Sequence, residues 1–312
     1  MFRFDRSAIY LDNLQTRIWF MFEWNRKGDW GFNRIQNPFT TFWLILDGEW
    51  GVTINNVKYN LKRGDFLVIP RNTEFIIDPP HYSDQYLYYL AMGCECMIGA
   101  FDWIDLYQIP TYTPLESRPS FEGLLSTWWS MKRLWDSFIE DLDQEMSEKF
   151  NLKTLSLNTP IQLQTLQTES YFHLKGTFYL WMAWVMQSLH HRLPDGPKFK
   201  DIRVEQACMY IQKNYEKKLS LQDIAQVAHT SESHLRLLFR QNLLSSPVNY
   251  LRQVRLDKAK EFLMMTSHSI QEISHFVGFD DVSYFSRVFR KETNMSPNEY
   301  RKQGRMGAIG QQ

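Results

Sequence analysis

The sequence predicts a multidomain chain, all-β first and all-α afterwards, and three observations carry that reading. Residues 1 to about 115 run in short aromatic and β-branched segments separated by turn dipeptides. From about 119 the apolar residues recur at helical spacing. Near the carboxy terminus one helical signature occurs twice. Ser220-Leu221-Gln222-Asp223-Ile224-Ala225 returns 49 residues later as Ser269-Ile270-Gln271-Glu272-Ile273-Ser274. Phe239-Arg240, Ser246-Pro247 and Tyr250 return 50 residues later as Phe289-Arg290, Ser296-Pro297 and Tyr300. An internal repeat constrains the architecture before any other signal does.

With 312 residues the chain has room for two domains with their own cores. Lys+Arg and Asp+Glu both number 35, so the formal charge is zero. The charge is unevenly spread: residues 201–312 hold 16 basic and 12 acidic side chains, a balance of +4, which leaves −4 for residues 1–200. The sign fits a basic reader of nucleic acid joined to a more acidic partner domain, and it also fits ordinary scatter of surface charge. Cys94, Cys96 and Cys208 cannot build a disulfide framework, which points to a reducing cytoplasm. Cys94-Glu95-Cys96 lacks the spacer and second ligand pair of a zinc site, so both cysteines read as small strand residues and no metal is expected. Residues 1–10 lack the apolar segment of a signal peptide, and no run approaches the roughly 18 apolar residues needed to span a bilayer.

In the first part, Arg17 to Trp24 and Thr40 to Leu46 have strand composition. Asp47-Gly48 and Asn55-Asn56 read as hairpin turns. Short strands about ten residues apart suit a sandwich or a barrel. Leu124, Trp128, Met131, Trp135, Phe138 and Leu142 then mark a first helix, and Leu163, Leu166, Phe172, Phe178, Trp181, Val185 and Leu189 mark a second over roughly 161–192. Polar residues 151–160 between them read as loop. Leu193 to Lys198 packs two prolines and a glycine into six residues and reads as a linker. The expected divisions are therefore 1–118, 119–192, a linker at 193–200, 201–302 and a flexible tail at 303–312.

Each copy of the repeat reads as helix, short turn, helix. Ser220 with Asp223, and Ser269 with Glu272, have the spacing of capping boxes, worth on the order of 1 kcal/mol. Ser231 caps the next helix of the first copy, and Asp280 or Asp281 that of the second. Leu235, Leu238 and Phe239 face inward in one, Phe285, Val288 and Phe289 in the other. The opposite faces carry Ser233, His234, Arg236, Leu237 and Arg240, and Val282, Ser283, Ser286, Arg287 and Arg290. Val248 to Met265 joins the copies as a long helix. Gly278 sits in the second turn, where positive φ costs a glycine nothing. The 49-to-50 change of offset makes the two turns unequal in length.

Residues 201–302 resemble the DNA-binding domain of the AraC/XylS family of bacterial transcription regulators. The resemblance rests on Arg255-Leu256 with Ala259, Ser269-Ile270 with Glu272-Ile273, Val277-Gly278-Phe279, Ser283 to Arg287, Phe289-Arg290-Lys291, Ser296-Pro297 and Tyr300-Arg301. It covers about a third of the chain. Where the family ends two helices on glycine, this chain has Leu244 and Asn294, and leucine resists the left-handed conformation. The helix end at Leu244 is therefore expected to differ. The resemblance implies that the outward residues of both second helices meet promoter DNA. Arg236 and Arg287 carry the fork that matches guanine in the major groove. Arg240 and Arg290 suit phosphates. Ser231, Ser233, His234, Leu237, Val282, Ser283 and Ser286 complete the expected contact set. The plain alternative for each is a solvated helix face.

Trp43 to Trp50 and Leu61 to Pro70 resemble a cupin-like barrel, which in this family binds a small effector, often a sugar. The fold class is thus an all-β cupin-like barrel with accessory helices, followed by an all-α domain with two helix-turn-helix units. Aromatic faces stack on sugar rings while carboxylates take the hydroxyls. Glu23, Trp24, Thr41, Trp43, Asp47, Trp50, Tyr86, Tyr88 and Tyr89 are the effector-site candidates. Alternation places Thr41, Trp43, Ile45 and Asp47 on one face. The same aromatics also suit a barrel core. The resemblance implies a homodimer; RNA polymerase is a further candidate partner, as for an activator, no membrane partner is expected, and the sequence leaves the sign of regulation, activator or repressor, open. The competing class is a sugar-binding or cupin-type enzyme with an appended DNA-binding module. A metal-dependent cupin needs several histidine ligands, and His81 stands alone before residue 173, so no catalytic residue, cofactor or metal is expected.

Overall fold

The computed structural model describes residues 14–27, 35–79, 81–82, 84–115, 120–149, 163–198 and 201–302. The loop expected at 151–160 and the tail at 303–312 lie outside them. The first part is all-β: β1 (Leu14–Lys27), β2 (Ile35–Gln36), β3 (Thr40–Ile54), β4 (Val57–Lys62), β5 (Asp65–Ile69), β6 (Glu74–Ile77), β7 (Tyr86–Ile98), β8 (Phe101–Asp102) and β9 (Tyr112–Pro114). The pairing runs β1-β7-β3-β5-β9, all antiparallel. It is an open path through the described strands, not a closed ring. The two ends of β3 belong to different sheets. Its first half pairs with β7 and β5, and its second half with β4 and β6.

The chain bends where β3 passes between the sheets. A bulge falls between Ile45 and Asp47 in the pairing with β7. Gly48 lies just beyond it at φ +80, where an added Cβ would stand 2.3 Å from the Tyr86 carbonyl oxygen. Asp47-Gly48 is therefore a mid-strand corner, not the expected turn. The turn between β3 and β4 is Asn55-Asn56, both at positive φ. Asparagine tolerates that region, which suits a two-residue hairpin.

The bulge also reverses the alternation. Trp43 and Ile45 point between the sheets before it, and Trp50, Val52 and Ile54 after it. Asp47 consequently lies on the outside, exposed, and the expectation that it shares a face with Trp43 is corrected.

Helices cover the outer face of the first sheet. After the short α1 (Trp103–Leu106) come α2 (Ser120–Lys149) and α3 (Thr165–Leu189). Trp128 of α2 and Phe178 and Trp181 of α3 pack on Phe42, Phe66 and Met92. The Trp181 ring lies 5.1 Å from Phe42 and 5.4 Å from Trp128, both edge-on. Strand β5 is thus buried at every residue, with one face against α3 and the other between the sheets. A strand covered on both sides reads as a continuous apolar run.

The last part is all-α: α4 (Ile202–Asn214), α5 (Leu221–Val227), α6 (Glu232–Leu243), α7 (Pro247–Met265), α8 (Ile270–Phe276) and α9 (Val282–Thr293). It holds two small cores. Val204, Ile211, Ile224, Leu235 and Phe239 fill one, and Leu256, Leu263, Ile273, Phe285 and Phe289 the other. Helix α7 contributes to both. This domain docks on the sheet domain at several points. The Gln212 amide donates to the Ala100 carbonyl at 3.0 Å, and the Tyr300 hydroxyl to the Gln36 carbonyl at 2.8 Å. The Lys260 ammonium donates to Asn72 Oδ1 at 2.7 Å.

Candidate nucleic-acid interface

The two helix pairs are built from local signals. Ser220 accepts from the Asp223 N–H and Asp223 accepts in return from the Ser220 N–H, a closed capping box at the start of α5. Ser269 and Glu272 do the same for α8. Both acidic partners are held below their usual carboxylate range, Asp223 chiefly by the Ser220 hydroxyl and Glu272 chiefly by the Ser269 N–H. Ser231 caps α6 through the His234 N–H at 3.3 Å. Asp281, rather than Asp280, caps α9 through the Tyr284 N–H at 2.6 Å.

The turns between the paired helices differ as the offsets require. The first covers residues 228–231 and turns on His229 at φ 49; the second covers 277–281 and turns on Gly278 at φ 84. A Cβ on Gly278 would meet the Tyr215 and Glu216 carbonyl oxygens at 2.7 and 2.8 Å. That backbone belongs to the segment between α4 and α5. Arg255 of α7 grips the same segment, donating to the Tyr215 and Lys217 carbonyls at 2.8 Å each. Gly278 is therefore needed for close approach of the two units as well as for its own turn.

Leu244 ends α6 at φ 51 and ψ 28, and Asn294 ends α9 at φ 58 and ψ 10. The helix end at Leu244 does not differ from its counterpart, contrary to expectation. The leucine takes the left-handed conformation and leaves 92% of its surface exposed.

The outward faces of α6 and α9 carry the expected side chains. Ser231, Ser233, Arg236, Leu237 and Arg240 are exposed on α6; Val282, Ser283, Arg287 and Arg290 are exposed on α9, and Ser286 is half-buried. Arg236 reaches Glu232 at 3.5 Å, one turn away on the same face. His234 is braced instead by Arg203 of α4, whose Nη1 stands 3.1 Å from its Nε2. Arg203 is in turn fixed by Asp201 at 2.7 Å, and that pairing lowers the Asp201 pKa to about 2. Tyr284, missing from the expected contact set, is exposed on α9 with the Arg287 guanidinium 5.6 Å from its ring centre. Its place beside Ser283 and Arg287 was the available signal; an aromatic is more readily assigned to the core.

The effector candidates divide into two groups. Trp24, Trp43, Trp50 and Tyr89 pack together between the two sheets, and Trp43 and Tyr89 have ring centres 4.7 Å apart. Thr41, buried, accepts from the Asn37 amide at 3.1 Å. Trp50 Nε1 donates to the Asp78 carbonyl at 2.8 Å, and the Arg26 guanidinium lies 3.6 Å over the Trp24 ring. Glu23, Asp47, Tyr86 and Tyr88 stand on the other face as two surface pairs. Tyr86 donates to Asp47 at 2.8 Å, and Tyr88 donates to Glu23, which pushes the Tyr88 pKa up to about 12. The structure does not bring the two groups together.

Two capped helix pairs, each with a polar and basic second helix exposed on a firm core, are the equipment of a DNA-binding transcription regulator. The family model described as "Helix-turn-helix domain" matches residues 224–303. The lactose operon transcription activator of Staphylococcus xylosus is 27% identical over 207 residues, 63% of this chain and 74% of that protein. The arabinose operon regulatory protein of Salmonella typhimurium is 38% identical over 121 residues, 38% of this chain and 41% of that one. A crystal structure of apo ToxT from Vibrio cholerae matches with a TM-score of 0.51, covering 93% of this chain and 97% of that one at 14% identity, a likeness of fold alone. Residues 224–303 thus form a helix-turn-helix domain of the AraC type, and both relatives are named as regulators of operon transcription.

Proposed function

We propose that this regulator binds promoter DNA sequence-specifically through α6 and α9, and that its amino-terminal domain senses a carbohydrate and thereby controls promoter binding. The observation that supports the DNA reading is the paired exposure of Arg236 and Arg287 on helices held by equivalent caps. The two helices enter successive major grooves, about one helical turn apart. The carbohydrate reading is supported by relatives named for lactose and arabinose operons. The chain acts as a cytoplasmic homodimer that presents four helix-turn-helix units and contacts RNA polymerase as an activator. The sheet domain with α2 and α3, over residues 1–192, is the sensing and dimerising part, and 193–200 is the connection.

The protein has no catalytic role in this reading. Among the described residues no three His, Cys, Asp or Glu side chains are grouped to hold a metal ion, and no helix is long and apolar enough to cross a membrane. A gel-shift series with the promoter of a neighbouring sugar-utilisation operon, with and without the sugar, tests the reading. Saturable binding that survives excess random DNA and responds to the sugar is expected. Binding that random DNA removes would overturn it, and so would turnover of the sugar.

A further inference from the structure

We propose that the cleft between the sheet domain and helix α7 is a ligand site for a neutral, polyhydroxylated molecule, an inference that rests on the carbohydrate reading. The cleft holds about 570 Å3, within the roughly 300–1,000 Å3 of small-molecule sites. Arg71, Glu95 and Asp105 line it from the sheet domain, and Gln253, Asp257 and Lys258 from α7. Most of these side chains are fixed before any ligand arrives. Arg71 Nη2 stands 3.4 Å from Asp257 and its Nη1 3.8 Å from Glu95, while the Gln253 amide donates to Asp257 at 2.9 Å.

Charge decides the class of ligand. An anion entering the cleft faces Glu95, Asp105 and Asp257; a cation faces Arg17, Arg71 and Lys258. Either ion loses hydration and meets like charge. A hydroxyl both donates and accepts, so a ring of hydroxyls serves guanidinium and carboxylate partners alternately, and hydrogen bonds to charged groups are the stronger kind. Phe101 and Met97 give the same cleft an apolar patch for the face of a sugar ring. The interior between the sheets offers a different surface, aromatic rings already packed on one another.

The position also supplies a means of control. Helix α7 joins the two reading units and forms one wall, while the sheet domain forms the other. A ligand held between the walls favours whichever arrangement of the two domains pairs its hydroxyls best, which is the differential affinity that a population shift requires.

Calorimetric titration of the full chain with lactose, arabinose, raffinose, maltose and galactose tests the site, with spermidine and citrate as charged probes. Three variants alter the cleft: Met97→Trp fills it, Asp105→Ala and Gln253→Leu remove polar groups from partly exposed positions, and Thr41→Val alters the interior between the sheets instead. The expected result is one saccharide that binds and loses at least tenfold in affinity in all three cleft variants, with Thr41→Val unchanged. A saccharide that binds every cleft variant as it binds the parent overturns the site and leaves the carbohydrate reading intact. Failure of all five sugars, or binding of a charged probe alone, overturns the carbohydrate reading and the inference with it. Unfolding midpoints of each variant separate lost binding from lost structure.

Discussion

Arg71 and Asp257, 186 residues apart, meet across the seam between the two domains with Nη2 3.4 Å from Oδ2. Arg71 leaves the turn after β5, and Asp257 lies midway along α7. Both are largely withdrawn from water, with 23% and 10% of their side chains exposed. Burial disfavours the charged guanidinium, but Asp257, Glu95 and Asp102 more than reverse that, so its pKa lies above the ordinary arginine value. The sheet domain thus holds the helix that joins the reading units.

Removing one partner leaves Arg71 with Glu95, or Asp257 with Lys260 and the Gln253 amide, so the loss stays at or below about 3 kcal/mol, the cost of a broken buried pair. Arg71→Leu or Asp257→Leu alone is expected to lower the urea midpoint of the full chain by an amount of that order. The double variant should recover the part of the loss that belongs to the pair itself, while Glu95 without Arg71 and the buried Lys260 without Asp257 keep the recovery incomplete. Equilibrium unfolding of the four proteins gives the coupling directly; strictly additive losses would show that the pair does not act as a unit.

Asp102 lies beside this pair and lines the same cleft. Burial raises its pKa to about 7, although the Ile104 N–H, Arg71 and Thr40 favour its ionised form. In the unfolded chain it titrates near 3.8. Between these values the folded state holds a proton that the unfolded state has released, so stability falls as pH rises from about 4 to 7 and stays lowered above. Asp102→Asn keeps the cap on α1 and removes the titration. Its stability relative to the parent should climb across that window by up to about 4 kcal/mol. Urea midpoints of both proteins at pH 5 and pH 8 measure it; an unchanging difference would place the Asp102 titration elsewhere.

Leu244 occupies a backbone conformation that costs a side chain with a Cβ roughly 1–2 kcal/mol. Its side chain is almost wholly exposed, so little packing offsets the cost. Leu244→Gly is expected to stabilise the carboxy-terminal domain by about 1 kcal/mol. Asn294→Gly should gain less, because asparagine already tolerates the conformation. Thermal midpoints rank the two, and a loss on Leu244→Gly would mean that the leucine side chain packs in a way its exposure does not reveal.

Arg287→Ala removes the fork offered by α9 and should cost about 1–3 kcal/mol on specific DNA, relaxing the preference at one base pair. Arg290→Ala should instead weaken binding to all sequences alike and reduce the salt slope by about 1. Competition gel shifts at several salt concentrations separate the two behaviours. Tyr284→Ala belongs in the same series, because its ring lies beside Arg287.

The reading domain was legible because its signals are local. Ser220 with Asp223 and Ser269 with Glu272 are three residues apart, and a cap needs nothing beyond that turn. The change of offset correctly gave unequal turns. Expectation failed where conformation depends on distant partners. Asp47-Gly48 has the composition of a turn, but pairing with β7 keeps it within a strand and turns Asp47 outward. Trp24, Trp43 and Tyr89 were visible as aromatics, yet whether an aromatic lines a pocket or fills a core depends on the strands opposite.

The sequence by itself determined the all-β then all-α order, the two capped helix pairs and the basic faces of α6 and α9. Those features follow from periodicity and short-range hydrogen bonds, which neighbouring residues settle among themselves. Only the tertiary structure decided the bulge that splits the effector candidates, the packing of Trp181 on the back of the sheet, and the meeting of Arg71 with Asp257. Each depends on contacts between residues far apart in the chain, and no local pattern in the sequence encodes which of many buried carboxylates an arginine will find.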